Sequence, residues 1–176
     1  MLNKTLLWES AVPEIIGFTE VQKFRSPWVI AAAVLMSLVA WWGFIQQIIF
    51  GIHFGSHPAP DYVMFILVAI FGIGLPLFIL TFRMHTILGP DFILIKMTLL
   101  GKHLIPLSGI KKCYSRQYRP ILEYGGWGIR WSPSKGVAYN VTGNQGVQLE
   151  MINGRKILIG SREAEQLSQM INSLLK

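Results

Sequence analysis

The sequence predicts a membrane α-hairpin joined to a mainly-β domain, and three patterns carry that prediction. Two uncharged apolar runs, residues 28–50 and 62–82, flank a short polar connector. Beyond residue 83 the apolar period drops to two, as expected of strands with one buried face. The chain then closes on a single amphipathic stretch, with Ala164, Leu167, Ile171 and Leu174 at helical spacing. The implied organisation is a lead-in over residues 1–27, a two-helix hairpin over 28–82 and a C-terminal domain over 83–176.

The two apolar runs set the class. About 20 apolar residues in a helix cross a hydrocarbon core of about 30 Å, and both runs reach that length. With 176 residues in all, the rest of the chain is too short to bury two such helices in a soluble core. Charged residues make up 14% of the chain, against about 25% in ordinary soluble domains. The charge is also divided unevenly. Residues 1–82 carry a net −1, whereas residues 83–176 carry thirteen Lys and Arg against five acids, a net +8. Lys4 is followed by few apolar residues before Glu9, Pro13 and Glu14 interrupt them, so the first long helix is expected to serve as an uncleaved targeting signal.

Orientation follows from the basic residues. Lys23 and Arg25 precede the first run and Arg83 follows the second, while the connector has neither Lys nor Arg. The positive-inside rule then expects a multi-pass protein with both termini cytoplasmic. Ala33 and Ser37 on the first helix and Gly72, Gly74 and Pro76 on the second suit close helix packing with a kink. His53, His57 and Asp61 recur every four residues, but Gly55, Pro58 and Pro60 oppose the helix that would turn them toward one metal. No metal or other cofactor is expected.

In the C-terminal part, Ile93, Ile95, Met97 and Leu99 share one strand parity. The alternation returns in Trp127/Ile129/Trp131, Val137/Tyr139/Val141, Val147/Leu149/Met151 and Ile157/Ile159. Asn153-Gly154 fits a two-residue hairpin turn, and Ser161 suits a helix N-cap. Trp127, Ile129 and Trp131 are expected on an inward face, beneath the stripe of the final helix. Many short antiparallel strands closed by one C-terminal amphipathic helix is the order of a pleckstrin-homology-like sandwich or barrel.

Particular residues carry a resemblance. Glu20-x-Gln22-x-Phe24 leads into the first helix; Tyr118-Arg119-Pro120 and the run Tyr124-Gly125-Gly126-Trp127-Gly128-Ile129-Arg130 come later. Ala138-Tyr139-Asn140-Val141 and Ile157-x-Ile159-Gly160-Ser161 follow. Together they resemble an uncharacterised family of small prokaryotic membrane proteins with two transmembrane helices and a bacterial pleckstrin-homology-like domain. The resemblance implies that fold and a prokaryotic plasma membrane location, and it implies no activity. The phosphoinositide site of the broader fold is not carried over, since the first strand loop reads Leu88-Gly89-Pro90-Asp91 with only Lys96 behind it.

Two stretches are candidate sites. Lys111, Lys112, Arg116 and Arg119 form the densest basic patch, interleaved with Tyr114 and Tyr118, and suit anionic lipid headgroups or a partner. Nucleic acid is not expected as a partner of a bilayer-tethered domain. Gly125, Gly126 and Gly128 form a possible ligand loop, or permit a tight approach to the strand that follows. His85 and His103 lack a nucleophile or carboxylate at a diagnostic spacing, and no catalytic residue is assigned. The expected function is therefore a non-enzymatic membrane-anchored interaction or scaffold module, binding a protein segment or organising an assembly at the cytoplasmic membrane face, with another protein or a second copy of the chain as partner. An accessory subunit of a transporter or channel is the alternative, and an enzyme acting near the membrane the third.

Overall fold

A computed structural model of the chain describes residues 17–24, 26–55 and 57–175. Expectations placed on residues 1–16, Arg25 and Lys176 lie outside them. The chain forms two compact units, one of Phe24–Phe82 and one that joins the residues up to Lys23 to Arg83–Lys176.

The first unit holds two helices, Pro27–Ile49 and Asp61–Thr81, each long and apolar enough to cross a membrane. Their apolar side chains turn outward, with Leu35, Leu38 and Leu80 all exposed. Pro76 lacks the N–H that would bond the carbonyl four residues earlier, that of Gly72. The second helix therefore widens over Val68–Gly74. The freed Gly72 carbonyl instead accepts from Ser37 Oγ at 3.2 Å and Trp41 Nε1 at 3.3 Å on the first helix. A Cβ at position 72 would lie 2.9 Å from Trp41 Nε1, so this contact requires glycine. Gln47 is buried, and its amide donates to Ala59 O at 2.7 Å and Asp61 Oδ1 at 2.8 Å.

The second unit is built from two open sheets. Strands β1 (Phe18–Lys23), β2 (Arg83–Leu88), β3 (Phe92–Met97) and β4 (Gly101–Pro106) form an antiparallel sheet in chain order. Strands β5 (Ile110–Gln117), β6 (Gly128–Ser132), β7 (Gly136–Asn140), β8 (Gln145–Met151) and β9 (Lys156–Gly160) form the other, in the order β5-β8-β9-β7-β6. Neither sheet closes on itself or shares a strand with the other, so the barrel form of the expectation is not supported. The second sheet is also mixed, because β7 and β9 run parallel.

β1 comes from the lead-in and pairs with β2 along its full length, from Phe18↔Leu88 to Lys23↔Arg83. Its pattern is inverted: Glu20 and Gln22 are buried while Val21 is exposed. Thr86, paired with Glu20, and His103, paired with Ile95, share this inner face, and the rest of it is apolar, with Met84, Leu88, Ile93, Ile95 and Met97 fully buried. In the second sheet β9 is central, and Leu158 and Ile159, which point to opposite faces, are both buried. Tyr118 and Tyr124 cover Ala138 and Leu158 on one face. The C-terminal helix, Ala164–Leu174, packs on β5 and β8 on the other, burying Leu167 and Ile171.

The β8–β9 connection departs from the two-residue expectation. Met151 N donates to Arg155 O and Gly154 N to Met151 O, leaving the three residues Ile152, Asn153 and Gly154 in the loop. Of Asn153 and Gly154, only Gly154 has positive φ, at 80°. That is the three-residue loop with a glycine bulge.

Candidate functional site

One row of side chains crosses the second sheet and loses its cover along the way. The register aligns Cys113 with Leu149, Leu149 with Ile157, Ile157 with Val137, and Val137 with Trp131. Lateral partners share a face, so the row is continuous. Cys113 and Leu149 are buried beneath the C-terminal helix, Ile157 and Val137 are half-buried, and Trp131 is 70% exposed. The expectation that Ile129 and Trp131 lie under the helix stripe is thus corrected. Their parity matches the helix-covered face, but β6 is the far edge of the sheet and the helix packs chiefly on β5 and β8. Trp127 precedes β6, is half-buried, and donates from Nε1 to Gly143 O at 3.4 Å.

Two clefts flank the uncovered end. One, of about 470 Å³, runs along the unpaired edge of β4 and is bounded on its other side by Tyr139, Ile152, Arg155 and Ile157. The other, of about 250 Å³, lies between Trp131, Val137, Arg155 and Lys156. Arg155 lines both. Ile152, at the tip of the β8–β9 loop, is 68% exposed. His103 packs against Tyr139 with ring centroids 4.8 Å apart, and its Nε2 is buried without a hydrogen-bond partner among the described residues. Burial pushes the Tyr139 phenol above its ordinary range, with Arg155 opposing the shift. The surface is therefore apolar and aromatic with cationic margins. It can seat an extended chain.

The predicted basic patch is divided by the fold. Lys111 and Lys112 are exposed on β5, beside an irregularity in its pairing, and Lys112 Nζ lies 5.2 Å from the Tyr114 ring centre. Arg116 is turned into a network. Its guanidinium donates to Gln148 Oε1 at 3.0 Å, Glu123 Oε2 at 2.9 Å and Tyr124 Oη at 3.3 Å. The Glu123 carboxyl lies below its usual range: burial acts to raise it, and the Arg116 pair with the Arg119 backbone N–H outweighs that. Arg119 itself is exposed.

Of the predicted glycine loop, Gly125, Gly126 and Gly128 all have positive φ, at 73°, 125° and 110°. Gly125 ends the short helix Pro120–Tyr124 in the left-handed cap conformation. Gly128 N donates to Asn140 Oδ1 at 3.0 Å, which starts β6 against β7.

A second cluster eluded sequence reasoning. Glu20 Oε1 accepts from Gln22 Nε2 at 3.0 Å and from the Arg162 N–H at 2.9 Å, while Glu20 Oε2 accepts from Ser161 Oγ at 2.6 Å. Gln22 Nε2 also donates to Gly160 O at 2.8 Å. Ser161 Oγ accepts from Glu163 N at 3.1 Å, but the N-cap of the helix is Glu163, so the cap expected at Ser161 falls two residues later. The Tyr118 hydroxyl lies beside Gly160 and Asn140, and burial raises its pKa to about 12. Residues singled out at opposite ends of the sequence thus meet around the end of β9. The inverted polarity of β1 was the signal that could have found them.

A family model for a family of unknown function matches residues 11–176. The chain belongs to that family, DUF6141. No curated protein matches the chain. The match spans both the long apolar helices and the two-sheet unit of this DUF6141 protein.

Proposed function

We propose that this DUF6141 protein is a non-enzymatic, membrane-anchored binding module. Its two-sheet unit seats an extended protein segment along β4 and across the uncovered end of the second sheet. The observation that carries the reading is the row ending at Trp131, where an apolar strip emerges from beneath its helix between two clefts that meet at Arg155. An unpaired strand edge offers main-chain hydrogen bonds to an added strand. Trp and Arg are the residues that most often dominate binding energy. Arg155 and Lys156 favour an occupant that carries acidic side chains.

The domain is read as pleckstrin-homology-like: a four-stranded meander, a second sheet and a closing C-terminal helix support that order. The membrane is read as a prokaryotic plasma membrane, with both termini cytoplasmic, from the basic residues that flank the helices.

A photo-reactive amino acid at position 131 tests the function in cells. A polypeptide adduct is expected, reduced about tenfold or more by Arg155→Glu, with Lys111 as a control position. Adducts to lipid alone, or polypeptide adducts indifferent to Arg155→Glu, would overturn the proposal. The alternative, an accessory subunit of a transporter or channel, draws on a cleft of about 520 Å³ between the two helices, lined by Met36, Val39, Phe54, Met64 and Phe71. It expects adducts from Met36 in place of those from Trp131.

A further inference from the structure

The outer face of the four-stranded sheet is amphipathic in a way that the binding groove does not use. The register places Thr19, Ile87, Leu94 and Leu104 in one outer row, and Val21, His85, Lys96 and Lys102 in the next. Lys23 and Arg83 form the row from which the chain continues into the helices. Lys23, Arg83, Lys96 and Lys102 are all exposed, and no acid among the described residues occupies an outward position of these four strands. The His85 imidazole is held below its ordinary pKa by burial and then by Lys96 and Arg83, consistent with a positive local field.

The β3–β4 turn lies at the same end of the sheet. Thr98 N donates to Arg83 O at 2.9 Å, tying the turn to the Lys23–Arg83 row. Leu99 and Leu100 follow, 74% and 44% exposed. Leu99 has φ of 68°, the one positive value at a non-glycine among the described residues. A bulky side chain there is strained, and glycine or asparagine would relieve it. Strain held at an exposed apolar residue points to a use for that side chain.

Chain connectivity limits how far along the chain this end is from the helices. β1 ends at Lys23, and the first long helix begins at Pro27; the second long helix ends at Thr81, and β2 begins at Arg83. We propose that the outer face of this sheet rests on an anionic bilayer surface, with the Leu99–Leu100 turn entering the headgroup layer. The cations meet lipid phosphates while the two leucines bury apolar surface, the division of labour seen in interfacial segments generally.

This inference rests on the membrane reading of the helices, and the test separates the two. The full chain with Cys113→Ala and Leu99→Cys, labelled with an environment-sensitive dye, is reconstituted into phosphatidylglycerol/phosphatidylcholine vesicles. Flotation reports whether the chain is integral. Quenching by nitroxide-labelled lipid is compared with quenching by iodide equilibrated across the membrane, and Asn153→Cys serves as the reference position. The dye at position 99 is expected to be quenched by lipid and shielded from iodide, and that at 153 the reverse. Each of Lys96→Gln and Lys102→Gln should lower the docked-to-undocked ratio by about fivefold. A floating chain whose position 99 is open to iodide would overturn the inference and leave the membrane reading standing. A chain that does not float would overturn both.

Discussion

Glu20 and Trp131 illustrate how far a single residue's role depends on what the fold lays over it. Glu20 is buried, and its carboxyl accepts from three donors, two of them from the start of the C-terminal helix segment. Truncation removes the acceptor of Ser161 Oγ and the Arg162 N–H, while Gln22 Nε2 keeps Gly160 O, and each buried donor so orphaned costs about 1–3 kcal/mol. Glu20→Ala should therefore lower the stability of the two-sheet unit by about 3 kcal/mol or more. Trp131→Ala should cost under about 1 kcal/mol, as surface substitutions do, where a buried Trp would cost about 3–5 kcal/mol. Denaturant melts of the two variants read the contrast. A large loss for Trp131→Ala would mean that the row across the second sheet is covered to its end.

At the scale of elements, the informative fact is that the helical unit is inserted between two paired strands. Lys23 and Arg83 are direct partners, so the sheet has a hairpin geometry across an insertion of residues 24–82. Replacing residues 24–82 by a turn of about two to four residues containing Asn-Gly should give a soluble, folded chain, because such a turn suits a right-twisted hairpin. Residues 83–176 alone should aggregate or melt early, since they leave the edge of β2 bare and lack Glu20. Size exclusion and circular dichroism of the two chains check this; equal behaviour would show that β1 contributes little. The strand pattern behind this unit was largely legible in the sequence, because one-sided burial writes itself as alternation: Ile93, Ile95 and Met97 are all buried as expected. Leu99, placed on the same face, instead lies past the end of β3 and is exposed. β1 was not legible, since two of its three inward side chains, Glu20 and Gln22, are polar while Val21 faces outward, which breaks the usual alternation. Lateral order was not legible either. Alternation gives a residue's face but not its place in the sheet, so Trp131 at the far edge was expected under a helix that packs on β5 and β8. The same limit hid the candidate site, which arises where β4, the β8–β9 loop and β6 come together from distant parts of the chain.

At the scale of the whole molecule, the proposed orientation has a direct test, and the fold dictates how it must be run. Cys113 is buried against Ser168, and desolvation raises its thiol pKa to about 12. It should stay unlabelled by a maleimide whether or not the membrane is intact, and so it is silent on sidedness. Exposed positions are needed: His53→Cys in the connector and Asn153→Cys in the β8–β9 loop. With both termini cytoplasmic, His53→Cys should label with an impermeant reagent in intact cells, and Asn153→Cys only after permeabilisation. The opposite pair of results would place the two-sheet unit outside the cytoplasm. The same burial gives a pH dependence with a definite sign. Between about pH 9, where an unfolded thiol ionises, and pH 12, the unfolded chain has lost a proton that the folded chain keeps. Stability therefore falls as pH rises through that window and is unaffected by this group below it. Tyr118, also raised to about 12, adds a loss of the same sign from its own ionisation. Cys113→Ala should flatten only part of the alkaline decline. Melts that decline equally in the variant would show that the thiol is hydrated in the folded chain, and labelling of native Cys113 would then follow.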